Sequence, residues 1–341
     1  MSSDSQMPWL PFVIAGCLNR DYILPISGSP RIDVLGGNLP YAAVGMHLWG
    51  GEAGLVARVG EDFPMEDLDR FESLGFDLSG IMVLSELMDL RRFFAHVDET
   101  TTHYENPVQH FADRGFPFPP GLMGYRRKPH QIDSHTTPLK HSIRLSDIPE
   151  SYLDATAVHI CPIDYLSHLI LPSIFKGGQA STITLSPSPG YMTPSFWEQI
   201  PGLLSDITGF IVEERDVRNL FQGKNTDLWE MAEVLGTFGP EYVLIRTNDL
   251  GCFLYDSVDD KRWVIPDYRT TVVDPTGGMD AFAGAFLVGY REDYDPVEAA
   301  VMGSIAASMV VEGSGVFYAL EAMPGLMEAR RDALRDLVRE I

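Results

Sequence analysis

Short apolar runs recur along this chain, each followed by a stretch of helical character, and that alternation restricts the fold more than any other feature. Residues 12–17 (FVIAGC) read as a buried strand. Residues 54–59, 157–161, 182–185 and 210–212 read as further strands, and 242–246 and 252–255 as neighbouring ones. Residues 21–35 read as extended segments with a turn at Gly28-Ser29-Pro30. The pattern predicts a helix over 40–49, with Pro40 as its first residue and Gly50-Gly51 as its stop. Helices are also expected near 214–222, over 278–290, over 296–311 and over 320–340. For the 296–311 helix, Asp295 is the N-cap and Glu298 sits three residues on. Strands alternating with helices place the chain in the α/β class, with a mostly parallel central sheet covered on both faces.

Composition excludes several functions. The 341 residues carry 48 acidic and 25 basic side chains, a formal net charge of −23. That balance argues against a general nucleic-acid binder, which needs a positive surface. It leaves room for a small anion held by backbone N–H groups and a metal ion. No run is long and apolar enough for a membrane helix, and residues 1–11 lack the pattern of a secretory signal. Cys17, Cys161 and Cys252 are too few and too dispersed for a disulfide framework. A cytoplasmic setting is expected, with no membrane and no nucleic-acid partner. Residues 105–149 break the rhythm, being rich in Pro, Gly, His and Arg with weak periodicity. They read as a lid, a disordered excursion or an unrecognised structure.

The stretch most informative about chemistry runs from Val272 to Gly284. An apolar strand end leads into a Gly-Gly turn, and the turn opens a helix with the small residues Ala281, Gly284, Ala285 and Gly289. Unpaired N–H groups at 277–280 face outward from that helix start and suit an anion such as a transferring phosphoryl group. Asp280 lies in the first turn, where a carboxylate can take the proton of an attacking hydroxyl. A second glycine turn, Gly36-Gly37, precedes the 40–49 helix, and Asn19 and Asp21 follow the first strand.

Asp274, Thr276, Gly277, Asp280 and Phe282 resemble the C-terminal signature of the ribokinase/PfkB carbohydrate kinase family, Asp-Thr-x-Gly-Ala-Gly-Asp-x-Phe. Gly278 stands for its Ala and Met279 for its second Gly. Residues 36–43 resemble the N-terminal signature Gly-Gly-x-x-x-Asn-x-Ala, with Tyr41 at the Asn, and 50–62 resemble its continuation. Glu213 and Asp216 occupy the place of Asn-x-x-Glu. Arg246, Thr247, Asn248 and Gly251 occupy that of the nucleotide loop Thr-x-Gly-x-x-Gly, where Asn at 248 tolerates a left-handed turn. The matches run in order over about 12–104 and 150–315.

The resemblance implies a ribokinase-like three-layer α/β/α sandwich, one domain over 1–341, with a discontinuous β-rich lid from about 19–36 and 88–106. It implies an ATP-dependent kinase acting on a sugar or nucleoside hydroxyl. Asp280 is then the base, and the backbone of Gly277, Gly278 and Met279 the anion hole. Asn19, Asp21, Gly36, Gly37, Asn38 and Tyr41 bind the acceptor. Glu213 and Asp216 support Mg²⁺ through water, and a monovalent cation near Asp274 and a homodimer through the lid accompany the family. Arg91 and Arg92, on an expected lid strand, are candidates for the phosphate of a phosphosugar. The Met279 side chain is expected to turn away from the phosphates.

Other features read more simply. His103, His110, His130, His135 and His141 fit a polar surface loop, and Trp197 and Trp229 fit the core. Two rivals are a non-catalytic relative, favoured by the departures at Tyr41, Glu213, Asn248 and Met279, and a dinucleotide oxidoreductase. The oxidoreductase is disfavoured because no Gly-x-Gly-x-x-Gly turn follows the first strand.

Overall fold

The computed structural model describes residues 10–127, 132–248 and 250–341. His130, and Asp249 within the 246–251 loop, therefore lie outside the described residues. The strands in chain order are β1 (Phe12–Ala15), β2 (Asn19–Leu24), β3 (Arg31–Gly36), β4 (Ala53–Gly60), β5 (Asp77–Leu84), β6 (Arg91–His96) and β7 (Thr102–His103). They continue with β8 (Ala157–Ile160), β9 (Thr182–Leu185), β10 (Gly209–Glu213), β11 (Tyr242–Arg246), β12 (Cys252–Asp256), β13 (Lys261–Ile265) and β14 (Arg339–Glu340).

Ten of these strands form one sheet in the order β14-β13-β12-β11-β10-β9-β8-β1-β4-β5. From β11 to β5 every pairing is parallel, and β12, β13 and β14 add an antiparallel margin. Alternate side chains serve two cores. Ile14, Ile211 and Leu244 join the helices Asn38–His47, Gly278–Asp293 and Pro296–Val311 on one face. Val13, Ala15, Phe210, Val212, Val243 and Ile245 join Tyr165–Lys176 and Leu228–Gly236 on the other. A period of two feeding two apolar layers is what a sheet buried on both sides requires, and the three-layer α/β/α architecture follows.

A separate four-stranded sheet, in the order β3-β2-β6-β7, forms the lid. Its β2–β6 pairing is parallel and the others antiparallel. Tyr22 and Leu24 of β2 and Phe93 and Ala95 of β6 face outward, where Phe111 and Leu122 cover them. Phe111 lies on a short helix, Pro107–Asp113, inside the region of weak periodicity. Further along, that region is tied to the main body: Tyr165 N donates to Asp133, Ser142 Oγ donates to Asp164, and Arg58 pairs with Asp147. His135 stacks on Phe196 at 4.0 Å.

Two expectations are corrected. The predicted helix over 320–340 is three elements: a 3₁₀ turn at Tyr318–Glu321, the helix Leu326–Arg335, and β14, which pairs with β13. Pro324 lacks an N–H for helix continuation, and Gly325 turns the chain at φ +80° before the helix restarts. The first long helix begins at Asn38, not Pro40. Pro40 is its third residue, a position whose N–H has no partner in the preceding turn, so the ring costs no hydrogen bond.

Candidate active site

Two helix starts meet at the carboxyl ends of the central strands. The helices Asn38–His47 and Gly278–Asp293 pack almost backbone to backbone. A Cβ on Gly284 would fall 1.9 Å from Ala42 O, and one on Gly45 would fall 2.1 Å from Ala281 O. Only hydrogen at both positions permits this approach. At the second start, Gly277 adopts φ +80°, and a Cβ there would fall 2.1 Å from Cγ of the Tyr41 ring. The residue must therefore be glycine for two reasons, the left-handed backbone and the ring beneath it.

Gly278 N donates weakly to Pro275 O at 3.4 Å, and Ala281 N donates back to Gly277 O at 2.9 Å. The N–H groups of Met279 and Asp280 lie between these in the first turn, which has no preceding turn to accept them. The Met279 side chain packs against the apolar core beside this helix.

Asp280 is partly buried in that first turn. Burial, then the charges of Glu213 and Asp21, push its carboxyl up to about 7. Asp280 also acts electrostatically on Cys17, Cys161 and Tyr41, so the ends of β1, β8 and β10 and the lid all converge on it. Asp21 is 1% exposed. Burial raises its carboxyl to about 7, against the opposing pull of Arg92. Its Oδ1 is buried without a hydrogen-bond partner. A Cβ on Gly36 would fall 1.8 Å from Asp21 Oδ2, so the glycine makes room for this carboxylate.

The other proposed acceptor residues are placed differently. The Asn38 amide is engaged at both ends: its Oδ1 accepts from Cys17 N at 2.7 Å, and its Nδ2 donates to Pro162 O at 2.6 Å. It stitches the end of β1 to the turn after β8. Tyr41 is 1% exposed and its hydroxyl is buried without a partner. Asn19 opens β2 opposite Gly36, and Gly37, at φ +102°, precedes the first helix.

Among the residues expected to meet the nucleotide and its metal, Glu213 ends β10 and Asp216 lies in the helix Glu214–Leu220. Arg215 sits between them, with contacts of 3.2 Å to Glu213 and 3.4 Å to Asp216. Burial raises the Glu213 carboxyl. Arg246 pairs with Asp267 at 2.8 Å and lies over the Phe282 ring. Thr247 N and Oγ1 both donate to Gly251 O, closing the 247–251 turn. Gly251 takes the left-handed backbone at φ +83°, whereas Asn248 does not, so the tolerance expected of Asn is not used.

Asp274 is 1% exposed, and three groups hold its carboxylate: Thr276 N, Ser314 Oγ and His96 Nε2. Burial opposes ionisation, but the bonds from His96, Ser314 and Thr276 outweigh it and hold the carboxyl below its usual range. His96 was not among the site residues expected from the sequence, and neither was Phe94. On β6, residues 93 and 95 belong to the outer apolar cluster, so Arg92, Phe94 and His96 face inward. Arg92 lies in register with Asp21, and Phe94 with Ile23. Alternation along RRFFAH carried this signal, hidden because both faces hold aromatics and cations. Arg91 faces outward, bound to Asp89 and the carbonyls of Gly121 and Met123, and is thereby removed from the acceptor side.

Among the described residues no three His, Cys, Asp or Glu gather closely enough to hold a metal ion unaided. A pair of carboxylates acting through water on a phosphate-bound Mg²⁺ fits this donor set, because Mg²⁺ keeps most of its waters. Among the described residues no helix is long and apolar enough to cross a membrane.

Comparison with known proteins bears on the fold and on the class of activity. Residues 177–323 match the pfkB family of carbohydrate kinases. A cytidine kinase of Thermococcus kodakarensis is 27% identical over 308 residues, covering 90% of this chain and 98% of the relative. A ribokinase II from E. coli, solved with ATP and Mg²⁺, superposes with a TM-score of 0.69 at 16% identity, covering 95% of this chain and 99% of that one. A Burkholderia thailandensis nucleoside kinase in complex with inosine gives a TM-score of 0.65 at 17% identity, covering 95% and 98%. The chain thus has a ribokinase-like fold, and over residues 177–323 it is similar to the pfkB carbohydrate kinases, phosphotransferases with an alcohol group as acceptor.

Proposed function

We propose that the protein transfers the γ-phosphoryl group of ATP to a hydroxyl of a sugar or nucleoside, with Asp280 as the general base. The observation that carries this reading is the Asp280 carboxyl, raised to about 7 at the mouth of a glycine-opened helix. A base is most effective when its affinity for protons lies near the working pH. The acceptor oxygen attacks the γ-phosphorus and its proton passes to Asp280. The bond to the β-phosphate oxygen breaks, and ADP leaves with that electron pair. The N–H groups of Gly277, Gly278 and Met279 receive the charge that gathers on the transferring oxygens. Asp21 accepts hydrogen bonds from acceptor hydroxyls, which satisfies its orphaned Oδ1. When bound, Mg²⁺ supplies charge neutralisation to the phosphates, and Glu213 and Asp216 are the carboxylates placed to support it.

Within the acceptor class a nucleoside is favoured. Ile23 and Phe94 form an apolar step beside the Asp21 and Arg92 pair, and Tyr104 meets the Phe94 ring edge-on at 5.7 Å. A planar base fits that step while the ribose hydroxyls reach Asp21. Relatives named for cytidine and solved with inosine point the same way. The chain works as a single unit over 1–341 in an ATP-containing, cytoplasmic setting. Its lid edge β3 is the surface through which two copies would pair. A monovalent cation beside Asp274 remains an expectation of the family resemblance, since that carboxylate already has three partners. The test is phosphoryl transfer from MgATP to a panel of nucleosides, sugars and sugar acids. Acceptor-dependent ADP release with a phosphorylated nucleoside is expected. Binding of acceptors without transfer to any of them would establish the non-catalytic rival.

A further inference from the structure

The lid and the anion-hole loop meet at His96. This residue is 3% exposed and ends β6, 180 positions from its partner Thr276. Its Nε2 lies 3.1 Å from Asp274 Oδ1 and 2.9 Å from Thr276 Oγ1, and its Nδ1 lies 2.8 Å from Thr102 Oγ1. A carboxylate only accepts, so Nε2 carries a hydrogen and shares it between Asp274 and Thr276. Thr102 belongs to β7, and the Phe94 ring stacks on the imidazole, so the ring is held from the lid side as well. Arg114 adds a bond from its guanidinium to His96 O.

The lid has a second tie to the same loop, from Ile26 N to Val273 O at 2.8 Å. That tie is made by backbone and ends before the anion hole begins. His96 reaches farther, to Thr276, the residue immediately before Gly277. Its side chain thus joins the lid to the segment that presents the phosphoryl-binding N–H groups.

We infer that His96 is a positioning residue for the reaction, fastening lid strand β6 to the Asp274–Thr276 turn so that the lid and the anion hole are ordered as one hydrogen-bonded unit. The inference rests on the kinase reading, because it gives the anion hole its purpose. An acceptor seated against Asp21, Arg92 and Phe94 holds β6 in place, and β6 holds the turn. Catalysis then depends on His96 although the imidazole touches neither reacting group.

The test compares His96→Leu, which removes the donor, with His96→Gln, whose amide nitrogen can reach the position of Nε2. In His96→Leu, kcat is expected to fall at least about tenfold while the KM for MgATP moves less than about threefold, and His96→Gln is expected to recover most of the loss. Amide hydrogen exchange of residues 273–279 supplies a readout that needs no turnover. It is expected to quicken in the Leu variant and return in the Gln variant. Equal activities in the two variants, or unchanged exchange in the loop, would overturn the inference. If His96→Leu does not fold, Thr276→Val carries the test: faster exchange at 276–279 with lower kcat supports the latch, and wild-type behaviour overturns it. A wild-type protein inactive on every acceptor, yet with loop exchange that depends on His96, would defeat the kinase reading and leave the latch standing.

Discussion

The two glycine-opened helix starts look alike in sequence and place their first polar side chains in different surroundings. Each has a glycine of positive φ, Gly37 or Gly277, just before its helix, and the two helices touch through Gly45, Gly284, Ala42 and Ala281. At the first start, the side chain that follows is consumed by the fold. Both ends of Asn38 bind backbone from β1 and the turn after β8. At the second, Asp280 is placed among Glu213 and Asp21, and its carboxyl is pushed up to about 7. A helix start supplies N–H groups in either case. Under the proposed mechanism, what makes the second one chemical is that its first-turn carboxylate meets other carboxylates instead of backbone partners.

This contrast sets the expected effects of substitution. Asp280→Asn removes the proposed base while keeping shape, so kcat is expected to fall by ~10²–10⁴ with little change in melting temperature. Steady-state turnover and a thermal melt check both halves. A variant that turns over normally would remove Asp280 from the mechanism. Asn38→Ala is expected to show the opposite profile. It strands Cys17 N–H and Pro162 C=O, costing about 2–3 kcal/mol of stability, while kcat per folded molecule stays within about threefold. Denaturant unfolding measures the first quantity. An Asn38→Ala protein of native stability but little activity would make the first helix start chemical too.

Smaller effects are expected beneath and beside the second start. Met279→Gly is expected to change kcat/KM by less than about tenfold, because the Met279 side chain packs against the core. A gain of a hundredfold or more, about 2.7 kcal/mol, would show that the native site is obstructed. Tyr41→Phe removes a buried hydroxyl that has no partner. It is expected to leave stability unchanged or raise it by about 1 kcal/mol, and a loss above that size would reveal a partner for the phenol.

The sequence was most legible where local chemistry and tertiary structure agree. Asp295 caps its helix with bonds from Val297 N and Glu298 N, and the helix runs over Pro296–Val311 as expected. The parallel strands read as apolar runs because both of their faces are buried. The C-terminal region misled because helix-favouring residues continue past the point where Val338–Ile341 is drawn onto the sheet margin; Ile341 N donates to Arg262 O. Asn38 was expected to meet an acceptor hydroxyl, since nothing local shows that the ends of β1 and β8 will take both ends of its amide. The bond between His96 and Thr276 joins a lid strand to a loop far along the chain, a distance that no spacing rule reports.

The central claim is that Asp280, raised by burial and by its neighbours' charges, accepts the acceptor's proton. The most direct test is the pH dependence of kcat/KM for the acceptor at saturating MgATP, in the wild type and in Asp21→Asn. Only the ionised carboxylate can take a proton, so activity rises with pH through the carboxyl's titration and levels off above it. In the wild type the rising limb is expected near pH 7, with the value belonging to the interacting Asp21 and Asp280 together. Removing the Asp21 charge removes one of the influences that raise Asp280, so the limb moves to lower pH in Asp21→Asn. A limb in the ordinary carboxylate range near pH 4, or one that stays at the same pH in both proteins, would contradict the account.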